Sequence, residues 1–388
     1  LCNPPFGVEW KKYEKFIRDE AEDLGYKGRF GAGLPRVSDG SLLFLQHMIS
    51  KMLPPEEGGT RIAIVFNGSP LFTGDAGSGE SEIRRWIIEQ GWLETIIALP
   101  DQLFYNTGIL TYIWIVTNRK SGVRQGKIQL IDGTSFCDRM RKPLGEKRKM
   151  LTEEHIKELT NIYGDFVPGE YCKIFDESDF AYWKVTVERP LRLNFRISAE
   201  RIARISEQTA FANLAKSRKR KPEEIAKEVE AGEKQQAEII EAIEAMDATV
   251  LYKNRAEFTK QLHDAFKKAG VTVKAPVLKA ILTALSEKDE TADICVDKNG
   301  NPEPDTDLRD TEQIPVKEDI DEYIKREVLP YAPDAWVDES KTKKGYEIPF
   351  TRHFYKFVEL GNAEQTLHDI EAFGNRIQAY ITKLFGEV

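Results

Sequence analysis

The chain has 388 residues, 41% hydrophobic and 31% charged, and its 20 Phe, 13 Tyr and 6 Trp exclude wholesale disorder. Cys2, Cys137, Cys172 and Cys295 lie far apart with no CxxC or Cys/His cluster, which argues against a disulfide framework or a structural zinc site, and a reducing cytoplasm fits. The net charge of −8 argues against a grip on nucleic acid through the overall field.

In chain order, Leu1-Cys2 followed by Asn3-Pro4-Pro5-Phe6-Gly7 reads as the end of a strand and its exit loop. The start of that strand is expected upstream, which makes the chain a segment of a longer protein. Leu42, Leu45, Ile49, Met52 and Leu53 recur at helical spacing over Ser41 to Leu53, and Pro54-Pro55 stops the helix. Arg61 to Phe66 is a β-branched strand closed by Asn67-Gly68. A helix follows over Ser81 to Gln90, with Ser81 as cap and Gly91 as stop. Glu94 to Leu99, Thr111 to Thr117 and Lys127 to Ile131 read as further strands. The apolar stretch from Gly108 to Val116 is far shorter than the ~20 residues of a membrane helix, and neither a signal peptide nor membrane contact is expected. The β-α-β-α-β order predicts an α/β fold with a mostly parallel sheet, whose ligands sit at the carboxyl ends of strands.

Residues 136–190 are mixed; Thr152 caps a short helix that ends before Gly164. Helix formers dominate from Ser198 to about Ala284, with little strand signal until Val271-Thr-Val. Asp293 to Asp297 with Asn299-Gly300 predicts a small β-hairpin with a type I′ turn, and 302–315 reads as loop. Glu287 to Glu322 carries fourteen acidic and four basic residues, a local −10 that leaves the remainder at +2. The acidity is therefore local and does not exclude DNA near the amino-terminal segment. A final amphipathic helix, Glu364 to Phe385, lines up Leu367, Ile370, Phe373, Ile377, Ile381 and Leu384.

Asn3-Pro4-Pro5-Phe6 is the segment best suited to chemistry. The exocyclic amino group of a base is conjugated and poorly nucleophilic. Two acceptors converging on its hydrogens, the Asn3 side-chain carbonyl and the Pro4 backbone carbonyl, would hold it and free its lone pair. Pro4 and Pro5 stiffen the loop, and Phe6 offers a face for an extruded base. The competing reading is a Pro-Pro turn with Phe6 packed in the core. Gly74-Asp-Ala-Gly-Ser-Gly79-Glu80-Ser81 has Glu where a phosphate loop needs Lys, so it reads as a flexible loop entering a helix. Asp297 to Asn301 resembles a calcium loop only at its start; Pro302 and Leu308 stand at its sixth and twelfth positions. Lys216-Ser-Arg-Lys-Arg-Lys221 and Lys341-Thr-Lys-Lys344 could meet phosphates, although solvated runs are commoner. The five histidines have no ligand spacing, and His47 reads as a packing residue.

Taken with its downstream segments, Asn3-Pro4-Pro5-Phe6 resembles the target-amino motif of the modification subunit of type I restriction–modification systems, an adenine-N6 DNA methyltransferase. Arg61 to Phe72, Ala98 to Phe104, Thr107 to Val116, Tyr182 to Leu191 and Asp338 to Pro349 carry the resemblance further along the chain. It implies a partial Rossmann-like methyltransferase sheet (1–135), a connector (136–190) and a mainly helical, partner-binding carboxyl-terminal region (191–388). It implies methyl transfer from S-adenosylmethionine to a flipped adenine, with Asn3, Pro4, Pro5 and Phe6 as site residues and no metal. The glycine motif that binds the cofactor normally precedes the target-amino motif, so cofactor-binding residues are expected upstream of Leu1, no cofactor is expected on these 388 residues, and they are expected to be inactive alone. Implied partners are DNA, a specificity subunit and a restriction subunit. The alternative is an assembly module that binds those subunits without chemistry of its own.

Overall fold

The computed structural model describes residues 1–217, 219–357 and 363–386. Two compact units emerge: Leu1–Phe180 with the segment from Tyr346 onward, and Ala181–Gly345. The boundaries at 135 and 190 follow composition and do not coincide with these packing units.

The first unit is built on β1 (Arg61–Phe66), β2 (Leu93–Leu99), β3 (Thr111–Thr117) and β4 (Lys127–Asp132), followed by a ribbon of β5 (Asp138–Leu144) and β6 (Lys147–Met150), and then β7 (Cys172–Asp176). The main sheet has the order β1-β3-β2-β4-β7. The α/β class holds, but the sheet is mixed rather than mostly parallel. β3 runs antiparallel to both β1 and β2, β7 runs antiparallel to β4, and only β2 and β4 form a parallel ladder. The reason lies in the connections. β1 reaches β2 through a helix, Gly79–Glu89, whereas β2 reaches β3 through a loop too short for a crossover helix, so the chain must turn back. Both faces of β2 and β3 are covered, which explains their continuous apolar runs. Phe66 and Trp114, both fully buried, meet edge to face at 5.6 Å in this core.

The strands predicted between Arg61 and Ile131 are found within a residue of their ends, but the helix caps differ. The helix Gly79–Glu89 is capped by the Ser78 hydroxyl, which accepts from the Ser81 N–H at 3.3 Å. Ser81 lies inside the helix, fully buried, and its hydroxyl accepts from the Tyr346 N–H. The loop before it is packed rather than free: Glu80 is buried and accepts from the Arg36 N–H at 2.9 Å, and a Cβ on Gly79 would lie 1.7 Å from the Leu34 carbonyl oxygen. Thr152 does cap the helix Glu153–Asp165, with His155 completing a capping box, yet Gly164 lies within it and Phe166 takes the left-handed conformation that ends it. His47 is exposed on its helix, near the Arg29 guanidinium, and is not a packing residue. The chain's last helix, Ala363–Phe385, leaves its apolar stripe 50–75% exposed.

The second unit holds β8 (Ala181–Glu188), β9 (Leu193–Arg196), β10 (Leu251–Tyr252), β11 (Ser286–Lys288), β12 (Asp310–Pro315) and β13 (Trp336–Tyr346). These form two three-stranded sheets, β10-β9-β11 and β12-β8-β13. Helices Ala199–Glu207, Pro222–Glu244, Arg255–Ala269 and Ala275–Leu285 bury Ile205, Ile239, Ile243, Phe258, Leu262 and Ile281 against Phe195. Val271-Thr-Val forms no strand; both valines pack on that helical core. Part of the expected 302–315 loop is a strand, because β12 pairs along β8 and fully buries Ile314. The hairpin near Asn299-Gly300 forms through the Val296–Pro302 bridge, but only Gly300 has positive φ, so the turn is not type I′. The Asp297 carboxylate closes it by accepting from the Asn299 and Asn301 N–H groups, with no metal needed.

Candidate functional site

Cys2 lies parallel beside β1. Its N–H donates to the Ala63 carbonyl at 2.9 Å, and its carbonyl accepts from the Val65 N–H at 3.0 Å. Cys2, β1 and β2 thus run in one direction, and the segments leaving their carboxyl ends open on one sheet edge. Those segments carry Asn3 to Gly7, Asn67 and Phe104 to Ile109, and together they wall an open cleft of about 830 Å³. The expected place for a ligand, at strand ends, is where Asn3-Pro4-Pro5-Phe6 lies.

Each of the four residues has a distinct setting. Pro4 is buried, and its ring anchors the loop. Asn3 is exposed on the cleft, and its amide makes no hydrogen bond among the described residues. The Pro4 carbonyl accepts no backbone hydrogen bond there either. Two acceptors are therefore free on one wall. Pro5 is exposed. Phe6 is half-buried, its ring edge-to-face with Phe104 at 6.2 Å and 87°, which fixes its plane while keeping it on the cleft. Gly7 turns the chain away with φ +61°.

The opposite wall was not singled out from composition. Asn67 closes β1, and its side chain accepts from the Ser69 N–H, which fixes the turn. Phe104 and Thr107 bridge, making a tight loop that displays Tyr105 and Asn106. The signal was a Phe-Tyr-Asn-Thr stretch just before an apolar strand. The turn of the β5–β6 ribbon seats on this loop: the Glu146 N–H donates to the Tyr105 carbonyl at 2.9 Å, and the Arg148 N–H donates to the Gln102 carbonyl at 3.0 Å.

Among the described residues, no Asp, Glu, Lys or Arg lines the cleft. Aromatic faces and neutral amide groups suit a flat, uncharged ring with an amino group. They do not suit the charged amino-acid end of S-adenosylmethionine, which needs ionic partners. The residues on this wall therefore fit a base and do not by themselves fit the cofactor. Among the described residues no group of His, Cys, Asp or Glu could hold a metal, and no helix is long and apolar enough to cross a membrane.

The family model described as N-6 DNA Methylase matches residues 1–210. The MjaIX type I restriction enzyme methylase subunit of Methanocaldococcus jannaschii is 29% identical over 182 residues, which cover 47% of this chain and 30% of that protein. The EcoKI type I restriction enzyme methylase subunit of Escherichia coli is 31% identical over 130 residues, covering 33% of this chain and 23% of that one. Among solved structures, the type I restriction–modification system methyltransferase subunit from Streptococcus thermophilus matches with 25% identity and a TM-score of 0.36, over 46% of this chain and 34% of that one. The chain thus spans about a third or less of the length of these relatives.

Proposed function

The chain belongs to the N-6 DNA methylase family, and from that membership we propose that it forms the base-holding part of a type I restriction–modification modification subunit that methylates adenine N6 in DNA. The observation that carries this reading is the free pair of acceptors, Asn3 and Pro4, beside the Phe6 ring in an uncharged cleft at the strand ends.

An adenine turned out of the duplex presents its amino group to Asn3 and Pro4. The two carbonyls accept its N–H bonds and draw the nitrogen out of conjugation. The stiff Pro4-Pro5 backbone holds them in place before the base arrives. Phe6, braced by Phe104, stacks on the ring. S-adenosylmethionine supplies the electrophilic methyl group. Residues other than this wall would hold it, and the 388 residues alone are expected to transfer no methyl group. The specificity subunit selects the DNA site, and the restriction subunit completes the complex.

The test is product identity. The complete subunit, assembled with its partners and given labelled S-adenosylmethionine and duplex DNA, is expected to yield N6-methyladenine on nucleoside chromatography, while the 388 residues alone yield none. Label in a methylcytosine, or turnover by the chain alone, contradicts the reading.

A second reading, assembly, is favoured by one observation: the exposed apolar stripe Leu367, Ile370, Phe373, Ile377, Ile381 and Leu384. This stripe docks on helices of the specificity subunit. Removing the helix Ala363–Phe385 is expected to abolish co-purification with that subunit; unchanged association rejects the docking role.

A further inference from the structure

The β5–β6 ribbon is the most basic local element beside the cleft. Residues 138–150 carry Arg139, Arg141, Lys142, Lys147, Arg148 and Lys149 against Asp138 and Glu146, a local +4 in a chain of −8. Two of the six cations are already engaged: Lys149 pairs with Asp101, and Lys147 lies 5.3 Å from the Tyr105 ring centre. Arg139, Arg141, Lys142 and Arg148 are exposed and make no ion pair among the described residues. This differs from an ordinary solvated basic run, in which carboxylates interleave. Lys221, for example, pairs with Glu224, and Ser217 in the same run bonds Glu228.

The ribbon is also tied to the cleft loop at its turn and along β6, although its ladder is irregular between Arg139 and Leu144. Gly145 turns with φ +63°, and a Cβ there would lie 2.8 Å from the Tyr105 carbonyl oxygen, so the turn presses directly on the cleft loop. The Arg148 and Lys149 N–H groups both donate to the Gln102 carbonyl. Four cations without an ion pair among the described residues are thereby carried by a ribbon whose turn seats on the loop that walls the cleft. A nucleotide whose base enters that cleft leaves its own and its neighbours' phosphates at the mouth.

We propose that the β5–β6 ribbon is a phosphate clamp for duplex DNA, with Arg139, Arg141, Lys142 and Arg148 neutralising the backbone that flanks the extruded base. The inference rests on reading the cleft as a base pocket. It gives the ribbon no role in choosing sequence, because phosphates carry no direct sequence information.

The experiment compares the parent with an Arg139→Gln, Arg141→Gln, Arg148→Gln variant, each in the complete subunit assembled with its partners. Binding to a fluorescent duplex is titrated at several salt concentrations. Three lost phosphate contacts make the slope of log affinity against log salt shallower by about 2–3, and lower affinity on the order of 100-fold near 0.1 M salt. The loss is expected to be equal for duplexes with and without a methylation site. The matching triple Arg→Lys variant keeps the charge and is expected to restore the parent slope. A parent-like slope in the Gln variant overturns the clamp. So does intact DNA affinity with lost subunit assembly, which makes the ribbon a protein contact. So does loss of DNA affinity only in a Lys219→Gln, Lys221→Gln variant of the other basic run. Methyl transfer by the parent is read separately: its absence rejects the base pocket, while the salt slope still decides the ribbon.

Discussion

His353 sits half-buried against Phe175, with ring centres 4.3 Å apart, and 6.3 Å from Phe180. Its Nε2 has no hydrogen-bond partner among the described residues. Burial, then Arg352 and Lys173, push its pKa below the ordinary value, and Asp179 opposes them weakly. The folded state therefore binds its proton later than the unfolded chain does. Stability is full above pH ~6.5, where both states are neutral, and falls as pH drops below that value, because the unfolded chain protonates first. Urea midpoints at pH 7.5 and 5.5 are expected to separate for the parent and to close towards each other for His353→Phe. An equal separation in both contradicts this account. At this scale the sequence was readable in the placement of Asn3 to Phe6, which leaves a strand end as its residues suggest. It was not readable at Arg84, which lies 1% exposed and donates to the carbonyls of Tyr346, Pro70, Thr73 and Gly74. Its role depends on segments distant in sequence.

Among the elements, the helix Pro222–Glu244 carries a glycine in its middle. Alanine is ordinarily about 1 kcal/mol better there. At Gly232 the sign reverses, because a Cβ would lie 2.0 Å from the Leu214 carbonyl oxygen and 2.8 Å from the Ala215 Cα. Gly232→Ala is expected to lower stability by about 1–3 kcal/mol through backbone displacement, measured by urea denaturation; a gain rejects the close approach. Strand positions were legible because short β-branched runs such as Arg61 to Phe66 have few alternatives. Strand direction was not, since an apolar run such as β3 reads the same both ways. β12 escaped because its Asp, Glu and Pro disfavour strand, and pairing with β8 overrides them. The ribbon escaped for the same reason: its charged residues carry little strand signal, and its role comes from where the turn seats.

For the molecule as a whole, net charge was the least informative number. The −10 of 287–322 masks a remainder of +2, and the ribbon's cations stand beside an uncharged cleft. The α/β class and the place of the motif at strand ends followed from element order, whereas the opposing wall of the cleft could come only from the fold. The role proposed for Asn3 is to hold the amino group that accepts the methyl. Single-turnover methyl transfer at saturating DNA, with the complete subunit assembled with its partners, tests it most directly. Asn3→Ala is expected to slow the chemical step on the order of 10²–10³-fold, the usual consequence of removing one preorganised hydrogen-bonding partner; transfer at the full parental rate would contradict it.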